Sequence, residues 1–199
     1  MPTQINGLPA HVLLIHVIIA VVPLAALLVV LHAVWPAARR RLGIVTPLAA
    51  LVALVCVPIT THAGNWFKHY LISSGRATGD WKDRIVKHAN LGGTFLWFVI
   101  GLFVVAAGVW LLGRRYEFGV LPDRRANGLT SEPSGNGGGT TLTAVRTQPR
   151  SDTRTTLPTW ASALIAVIAV AVAGVSVVQL YRIGDSGAQA VWHGSVSGG

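Results

Sequence analysis

The chain has 199 residues, of which 52% are hydrophobic and only 12% are charged, whereas roughly 25% of the residues of a soluble domain are charged. Four runs contain no charged residue, and each is longer than the ~20 residues of a membrane span: 1–38, 42–67, 88–113 and 155–181. These runs exclude a soluble helix bundle, because each helix of such a bundle needs a polar outer face. The net charge of +9 does not predict nucleic acid as a partner, since the basic residues flank these runs, where the lipid bilayer supplies anionic headgroups.

The first predicted helix spans about 11–35 and follows an N-terminal tail at 1–10. The tail contains no Lys or Arg, and the apolar stretch after it is too long for the core of a secretory signal, so a cleavable signal peptide is not predicted. The second predicted helix spans 44–62, beyond an arginine cluster at 39–41. Its Cys56 is the one cysteine of the chain, so no intrachain disulfide can form.

The segment 64–90 is predicted to form an amphipathic loop on the outer side of the membrane. It begins with a short amphipathic turn that lies in the interface and contains Trp66, Phe67, Tyr70 and Leu71. The sequence Ser73-Ser74-Gly75 ends this turn. Asp80 is then a predicted N-cap for a helix that runs on into the third span at 85–112.

Residues 113–157 are predicted to form a flexible cytoplasmic linker, because most of this segment is rich in Gly, Ser, Thr and Pro and cannot bury enough apolar surface to fold. The fourth span is predicted at 158–181, and residues 182–199 form an outer C-terminal tail. A stripe of small residues along the fourth span predicts close packing against its neighbours: Ser162, Ala166, Ala169, Ala173 and Ser176.

Together these elements predict an all-α integral membrane protein that forms a four-helix bundle. The loops on one side of the bundle carry ten Lys and Arg residues and those on the other side carry six. The positive-inside rule then places the ten in the cytoplasm and both chain termini outside the plasma membrane. The sequence contains no Ser–His–Asp arrangement, no phosphate-binding loop and no carboxylate within a span, which disfavours an enzyme.

The seven histidines are the main candidates for chemistry. In the predicted topology all except His32 lie outside the membrane or in its outer half, and His16, His62 and His88 bring imidazoles from three helices to that end. An ionisable residue within a span is costly and usually marks a functional site. The structural alternative is bonding to water, lipid headgroups or a neighbouring helix, which is favoured for His11, His62, His69 and His193.

The functional hypothesis is a haem b site, since neutral imidazole is a standard axial ligand of haem iron and bundle cores hold cofactors between facing helices. His16 and His88 are the preferred pair of metal ligands, with His62 as a substitute for either. Gly92, one turn beyond His88, would leave flat space for the macrocycle. The absence of a CxxCH motif excludes only a covalently attached c-type haem. Two basic residues could pair with the haem propionates: Lys87 and Arg84.

Three alternatives to haem binding stay open at the level of the sequence. A non-catalytic subunit or scaffold of a larger complex, or a homo-oligomer, would associate through the small-residue stripes. A Zn or Cu site of three histidines would lack a metalloprotease motif, and His11 and His16 lie roughly 140° apart around a helix, which does not suit chelation. A transporter would need a polar path through the bundle, which the sequence does not indicate.

Three short motifs carry a resemblance to a known family. They are Gly7-Leu8-Pro9-Ala10-His11 followed by His16, then His88-Ala89-Asn90-Leu91-Gly92, then Arg182-Ile183-Gly184-Asp185-Ser186-Gly187-Ala188 with Ala190-Val191-Trp192. This combination resembles a family of uncharacterised four-helix bacterial membrane proteins, common in actinobacteria and described as a domain of unknown function. The resemblance covers the four spans and omits the linker. It implies the fold and the membrane location, and by analogy with some members an association with cytochromes. The family often has His where this chain has Asp185, so a metal role for the C-terminal tail does not follow.

Overall fold

The computed structural model describes residues 4–5, 8–118 and 155–196. These residues contain five helices, one short and four long: α1 Ala10–Val34, α2 Pro36–Leu42, α3 Val45–Ser73, α4 Gly79–Arg115 and α5 Thr159–Val196. Four two-residue strands form an antiparallel pair, β1 with β2, and a parallel pair, β3 with β4: β1 Gln4–Ile5, β2 Leu8–Pro9, β3 Tyr116–Glu117 and β4 Thr155–Thr156. Most of the predicted linker lies outside the described residues.

The four long helices form an all-α four-helix bundle, as predicted, and each is long and apolar enough to cross a membrane. The protein is therefore a multi-pass membrane protein in contact with lipid. Contacts are most extensive between α1 and α3, between α3 and α4, between α4 and α5, and between α5 and α1. The helices thus follow one another around the bundle in the order α1, α3, α4, α5, and α1 faces α4 across the bundle axis.

Small and β-branched side chains fill the interior of the bundle. The predicted packing stripe of α5 is confirmed, since all five of its members are buried: Ser162, Ala166, Ala169, Ala173 and Ser176. Small side chains allow membrane helices to approach closely, and the packing of facing surfaces then replaces the hydrophobic effect as the source of stability in lipid. Towards the end where α1 begins, the core is closed by a second cluster: Ile18, Val22, Ala53, Val57, Phe95 and Val99.

Two helices are longer than predicted: α3 continues to Ser73 and α5 continues to Val196. α4 begins at Gly79, close to the predicted helix start at Asp80. Most of the predicted outer loop at 64–90 and most of the predicted tail at 182–199 are therefore helical. These segments contain no proline, and an apolar helix of which one end is already formed propagates easily into them. At ~1.5 Å per residue the 37 residues of α4 measure about 55 Å, well beyond a ~30 Å hydrocarbon layer.

The turn between α3 and α4 matches its prediction in one respect and differs in another. α3 ends at Ser73, and Gly75 adopts a φ of +68°, a conformation that glycine takes without strain. The N-cap position of α4 is held by Thr78, whereas Asp80 lies in the first helical turn. Asp80 still faces the partial positive charge of the helix N-terminus from that position.

The two ends of the bundle differ in their polar residues. At one end, where α1 and α4 begin and α3 and α5 finish, lie His11 and His88; we name this the histidine end. At the other end, where α2 connects α1 to α3, lie Arg39 and the C-terminus of α4; we name this the arginine end.

Candidate histidine site

The ring of His11 lies at the start of α1 and is held by α3. Its Nδ1–H donates a hydrogen bond of 3.1 Å to the backbone carbonyl of Thr60. The same ring lies against Gly64, where a Cβ atom would meet the His11 Cε1 atom at 2.7 Å and Nδ1 at 2.9 Å. His11 is half-buried, so α3 fixes the ring while one edge of it remains accessible.

The ring of His88 lies near the start of the apolar part of α4 and is held by α5 in the same manner. Its Nδ1–H lies 3.2 Å from the carbonyl oxygen of Ile183 and 3.0 Å from the hydroxyl oxygen of Ser186. The Ser186 hydroxyl itself donates to the Ile183 carbonyl at 2.8 Å, so its oxygen is free to accept. A Cβ atom at Gly187 would meet the His88 Cε1 atom at 3.0 Å.

The two imidazole rings meet across the bundle. Their centroids are 6.4 Å apart and their planes are inclined by 75°. Because a carbonyl oxygen can only accept, the Nδ1 atom of each ring carries the proton, and the Nε2 atom of each neutral ring then carries a lone pair. Within the described part of the chain neither Nε2 atom makes a hydrogen bond that would use this lone pair. The histidine end therefore presents two imidazole ligands from facing helices.

The distance between the rings suits a shared metal ion. A metal about 2 Å from each of two nitrogens that face each other across it would hold the imidazole centroids roughly 6 Å apart, and the observed separation is 6.4 Å. Histidines that bind metals usually donate their other N–H to a carbonyl or a carboxylate, which fixes both tautomer and orientation. Both His11 and His88 already have such an acceptor.

The structure places the predicted ligand His16 outside this pair. His16 is exposed on α1, and its Nδ1–H donates to the carbonyl of Val12 in the same helix at 2.8 Å. The ring that lies beside His88 is that of His11, which the sequence had assigned to the interface. The spacing of five residues separates the two side chains around α1, and it is His11 that points inward. His62, the predicted substitute, is also exposed.

The other predicted residues lie on α4 near His88. A Cβ atom at Gly92 would meet no atom within 4 Å, so the space beside this half-buried glycine is open. Arg84 and Lys87 line a shallow cleft between the start of α4 and the end of α5, together with Asp80, Asp83, Ser186 and Gln189. The Nε atom of Arg84 is enclosed and makes no hydrogen bond within the described residues. Ser186 joins this cleft to the imidazole of His88.

Sequence reasoning missed Gly64, Ser186 and Gly187 as parts of the site. The available signal for Ser186 and Gly187 was the third motif, because residues of all three motifs meet at the histidine end, whereas Gly64 lies in none of the motifs. His11 belongs to the first motif and His88 to the second, while the acceptors and the glycine beside His88 belong to the third. The residues that contact one another at this site are far apart in the sequence, and only the fold brings them together.

A different polar cluster lies at the arginine end. Arg39 is only 6% exposed, and its Nε–H donates to the carbonyl of His32 at 3.2 Å. Its guanidinium also donates to the carbonyl of Phe118 and stacks over the Phe118 ring, 3.5 Å from the centroid. His32 bonds the hydroxyl of Thr46 at 3.0 Å and is 1% exposed. These contacts join α1, α2, α3 and the segment that follows α4.

Comparisons with known proteins give no match to this chain, whether with family models, with curated proteins or with solved structures. Among the described residues no group of three or more His, Cys, Asp and Glu side chains could hold a metal ion. The histidine pair therefore offers two protein ligands without a third of these types.

Proposed function

We propose that this membrane protein is redox-linked and binds haem b, with His11 and His88 as the two axial ligands. The observation that carries the proposal is the pair of imidazole rings on facing helices, with centroids 6.4 Å apart, each with its Nδ1–H fixed on a backbone carbonyl. This pair replaces the one predicted from the sequence, in which His16 stood in place of His11.

The number of ligands favours haem over a simple metal ion. A structural or catalytic Zn site takes at least three protein ligands, and the described residues offer no such group. Haem iron already has four nitrogen ligands from its macrocycle and takes only two from the protein. Two histidines with no third ligand are thus a complete set for haem and an incomplete one for Zn.

The chain's own residues would perform three tasks in such a site. Thr60 and Ile183 hold the imidazoles as ligands through their carbonyl oxygens. The open space beside Gly92 would take part of the macrocycle edge, and two basic residues in the adjoining cleft would pair with the propionates: Arg84 and Lys87. When bound, haem would supply one-electron exchange.

Orientation and family membership belong to the same proposal. The excess of Lys and Arg in the loops of the arginine end supports a histidine end that faces the outside of the plasma membrane, with both chain termini there. Membership in the actinobacterial four-helix family rests on the three motifs, whose residues meet at the site. Electron exchange would then take place at the outer face of the membrane.

A non-catalytic subunit or scaffold of a larger complex is the second candidate. The observation in its favour is that the same contacts, ring to carbonyl and ring to glycine, join α1 to α3 and α4 to α5. Such contacts would stabilise the bundle without any ligand, as hydrogen bonds between membrane helices do. This candidate predicts no bound iron and co-purification with other membrane proteins.

A reduced-minus-oxidised absorption spectrum separates the two candidates. The protein should be produced with a sufficient supply of haem, purified in mild detergent, and analysed in parallel for iron. We expect haem α and β bands and about one iron per chain if two histidines ligate one haem. Absence of both the bands and the iron would contradict haem binding and favour the subunit.

A further inference from the structure

The two histidines are held by the same local arrangement on two different helices. In α3 the acceptor is the carbonyl of Thr60 and the ring lies on Gly64. In α5 the acceptor is the carbonyl of Ile183 and the ring lies on Gly187. In both cases the glycine follows the carbonyl by four residues, which places it directly above that carbonyl on one face of the helix.

The distances disfavour a side chain at both glycines, and more strongly at Gly64 than at Gly187. A Cβ atom on residue 64 would lie 2.7 Å from Cε1 and 2.9 Å from Nδ1 of His11, closer than non-bonded carbon and nitrogen atoms approach. A Cβ atom on residue 187 would lie 3.0 Å and 3.3 Å from the same atoms of His88. The rings cannot simply move away, since each Nδ1–H is bonded to the carbonyl beside the glycine.

We infer that Gly64 and Gly187 are positioning residues for the two imidazole ligands, a role that rests on the proposed haem function. Each glycine, together with the carbonyl four residues before it, forms a flat seat that sets both the position and the tautomer of one ring. One histidine and one seat come from the pair of helices α1 and α3. The other histidine and the other seat come from the pair α4 and α5, so the same contact occurs twice at the site.

The two seats differ in how far a methyl group in place of the glycine hydrogen should displace the ring. At Gly64 the clash is shorter, and among the described residues His11 has one acceptor, the carbonyl of Thr60. At Gly187 the clash is milder and His88 keeps a second acceptor in Ser186. A methyl group at residue 64 should therefore displace its ring further than a methyl group at residue 187.

The test uses four Gly→Ala variants of the full chain. G64A and G187A fill the seats, whereas G174A and G184A are matched controls on α5, at exposed glycines where a Cβ atom meets nothing within 4 Å. Size-exclusion chromatography and circular dichroism check that each variant folds. If G64A does not fold, the milder G187A still tests the inference.

The first readout needs no haem. In the protein labelled with ¹⁵N-histidine, NMR should show Nδ1–H tautomers for His11 and His88 that exchange slowly with solvent. We expect G64A to lose the protected signal of His11 and keep that of His88, and G187A to do the reverse. Both controls should keep both signals. Retention of both protected signals in G64A and in G187A would overturn the inference.

The second readout is haem affinity. We expect the seat variants to bind haem about tenfold or more weakly, the range typical of lost second-sphere contacts, and the controls to bind it as the wild type does. Wild-type affinity in both seat variants would overturn the positioning role. If the wild type binds no haem while the NMR signals respond as expected, the seats are supported and the proposed haem function is contradicted, so the two failures are distinguishable.

Discussion

The histidine end and the arginine end both contain a buried or half-buried imidazole held at one nitrogen, and they differ in access to the other. At the arginine end His32 is 1% exposed, and Arg39 beside it is 6% exposed and bonded to two carbonyls. At the histidine end His11 and His88 are half-buried, and Ser186, which bonds His88, lines an open cleft. The enclosed polar groups of the arginine end join helices to one another. The imidazoles of the histidine end each keep one accessible nitrogen, and such a nitrogen can bind a cofactor.

The largest effect should follow from removing either ligand of the pair. H11A and H88A should each lose most of the bound haem, because only one of the two histidines that would hold the iron is then left. H16A is the matched control, since His16 is an exposed histidine on α1 that bonds the carbonyl of Val12 in its own helix. Haem per chain, measured after purification, checks the result. Equal haem content in H11A and H16A would remove His11 from the site.

Removal of Arg39 should be the largest effect at the arginine end, and it should act on stability alone. R39A would leave the carbonyls of His32 and Phe118 buried without their donor, at a cost of roughly 2–4 kcal/mol. The folded fraction should still bind haem as the wild type does. Unfolding by denaturing detergent measures the loss of stability. A lowered haem affinity in folded R39A would show that the two ends are coupled, contrary to the comparison.

A larger side chain on α5, between the two ends of the bundle, should have a smaller effect on stability. This effect should depend on whether the substituted position is buried or faces lipid. Ala169 is 0% exposed and Ala171 is exposed. A169L should destabilise the bundle by about 1–3 kcal/mol through overpacking, and A171L should leave stability unchanged. The same unfolding measurement applies. Equal stability of the two variants would contradict the arrangement of the α5 stripe.

The smallest effect should come from the hydrogen bond between Thr46 and His32. T46V removes the hydroxyl that His32 bonds and keeps the shape of the side chain, so we expect a loss of about 0.6 kcal/mol, the average for such bonds in membranes. T61V is the control because Thr61 bonds the carbonyl of Val57 within its own helix. A loss of stability in T46V larger than that in R39A would show that His32 contributes more to the stability of the arginine end than its contacts indicate.

Much of the fold was predictable from the sequence, because the bilayer imposes length and apolarity on each span. Charge-free runs located the four helices, and small residues at spacings of three and four located the buried face of α5. The break at Ser73-Ser74-Gly75 and the start of α4 near Asp80 were predictable from turn and cap residues. The helical state of 64–73 and 182–196 was not, because these segments continue helices that are already formed, and composition alone does not show this.

The candidate site was predictable in its location and its residue type but not in its membership. The sequence predicts His88 with His16 as its partner, and the structure places His11 beside His88 instead. Which of two histidines five residues apart faces inward depends on the rotation of α1, and that is set by packing against α3. The seats at Gly64 and Gly187 depend on contacts between helices and leave no local signal.

The electron paramagnetic resonance spectrum of the ferric protein tests the central claim most directly, because it reports the number and the relative orientation of the axial ligands. Two imidazoles with planes inclined by 75° predict a low-spin signal with the strong g anisotropy of nearly perpendicular ligands. This signal should be lost in H11A and kept in H16A. Absence of a low-spin haem signal in the wild type, or the same signal in H11A, would contradict His11 and His88 as the ligand pair.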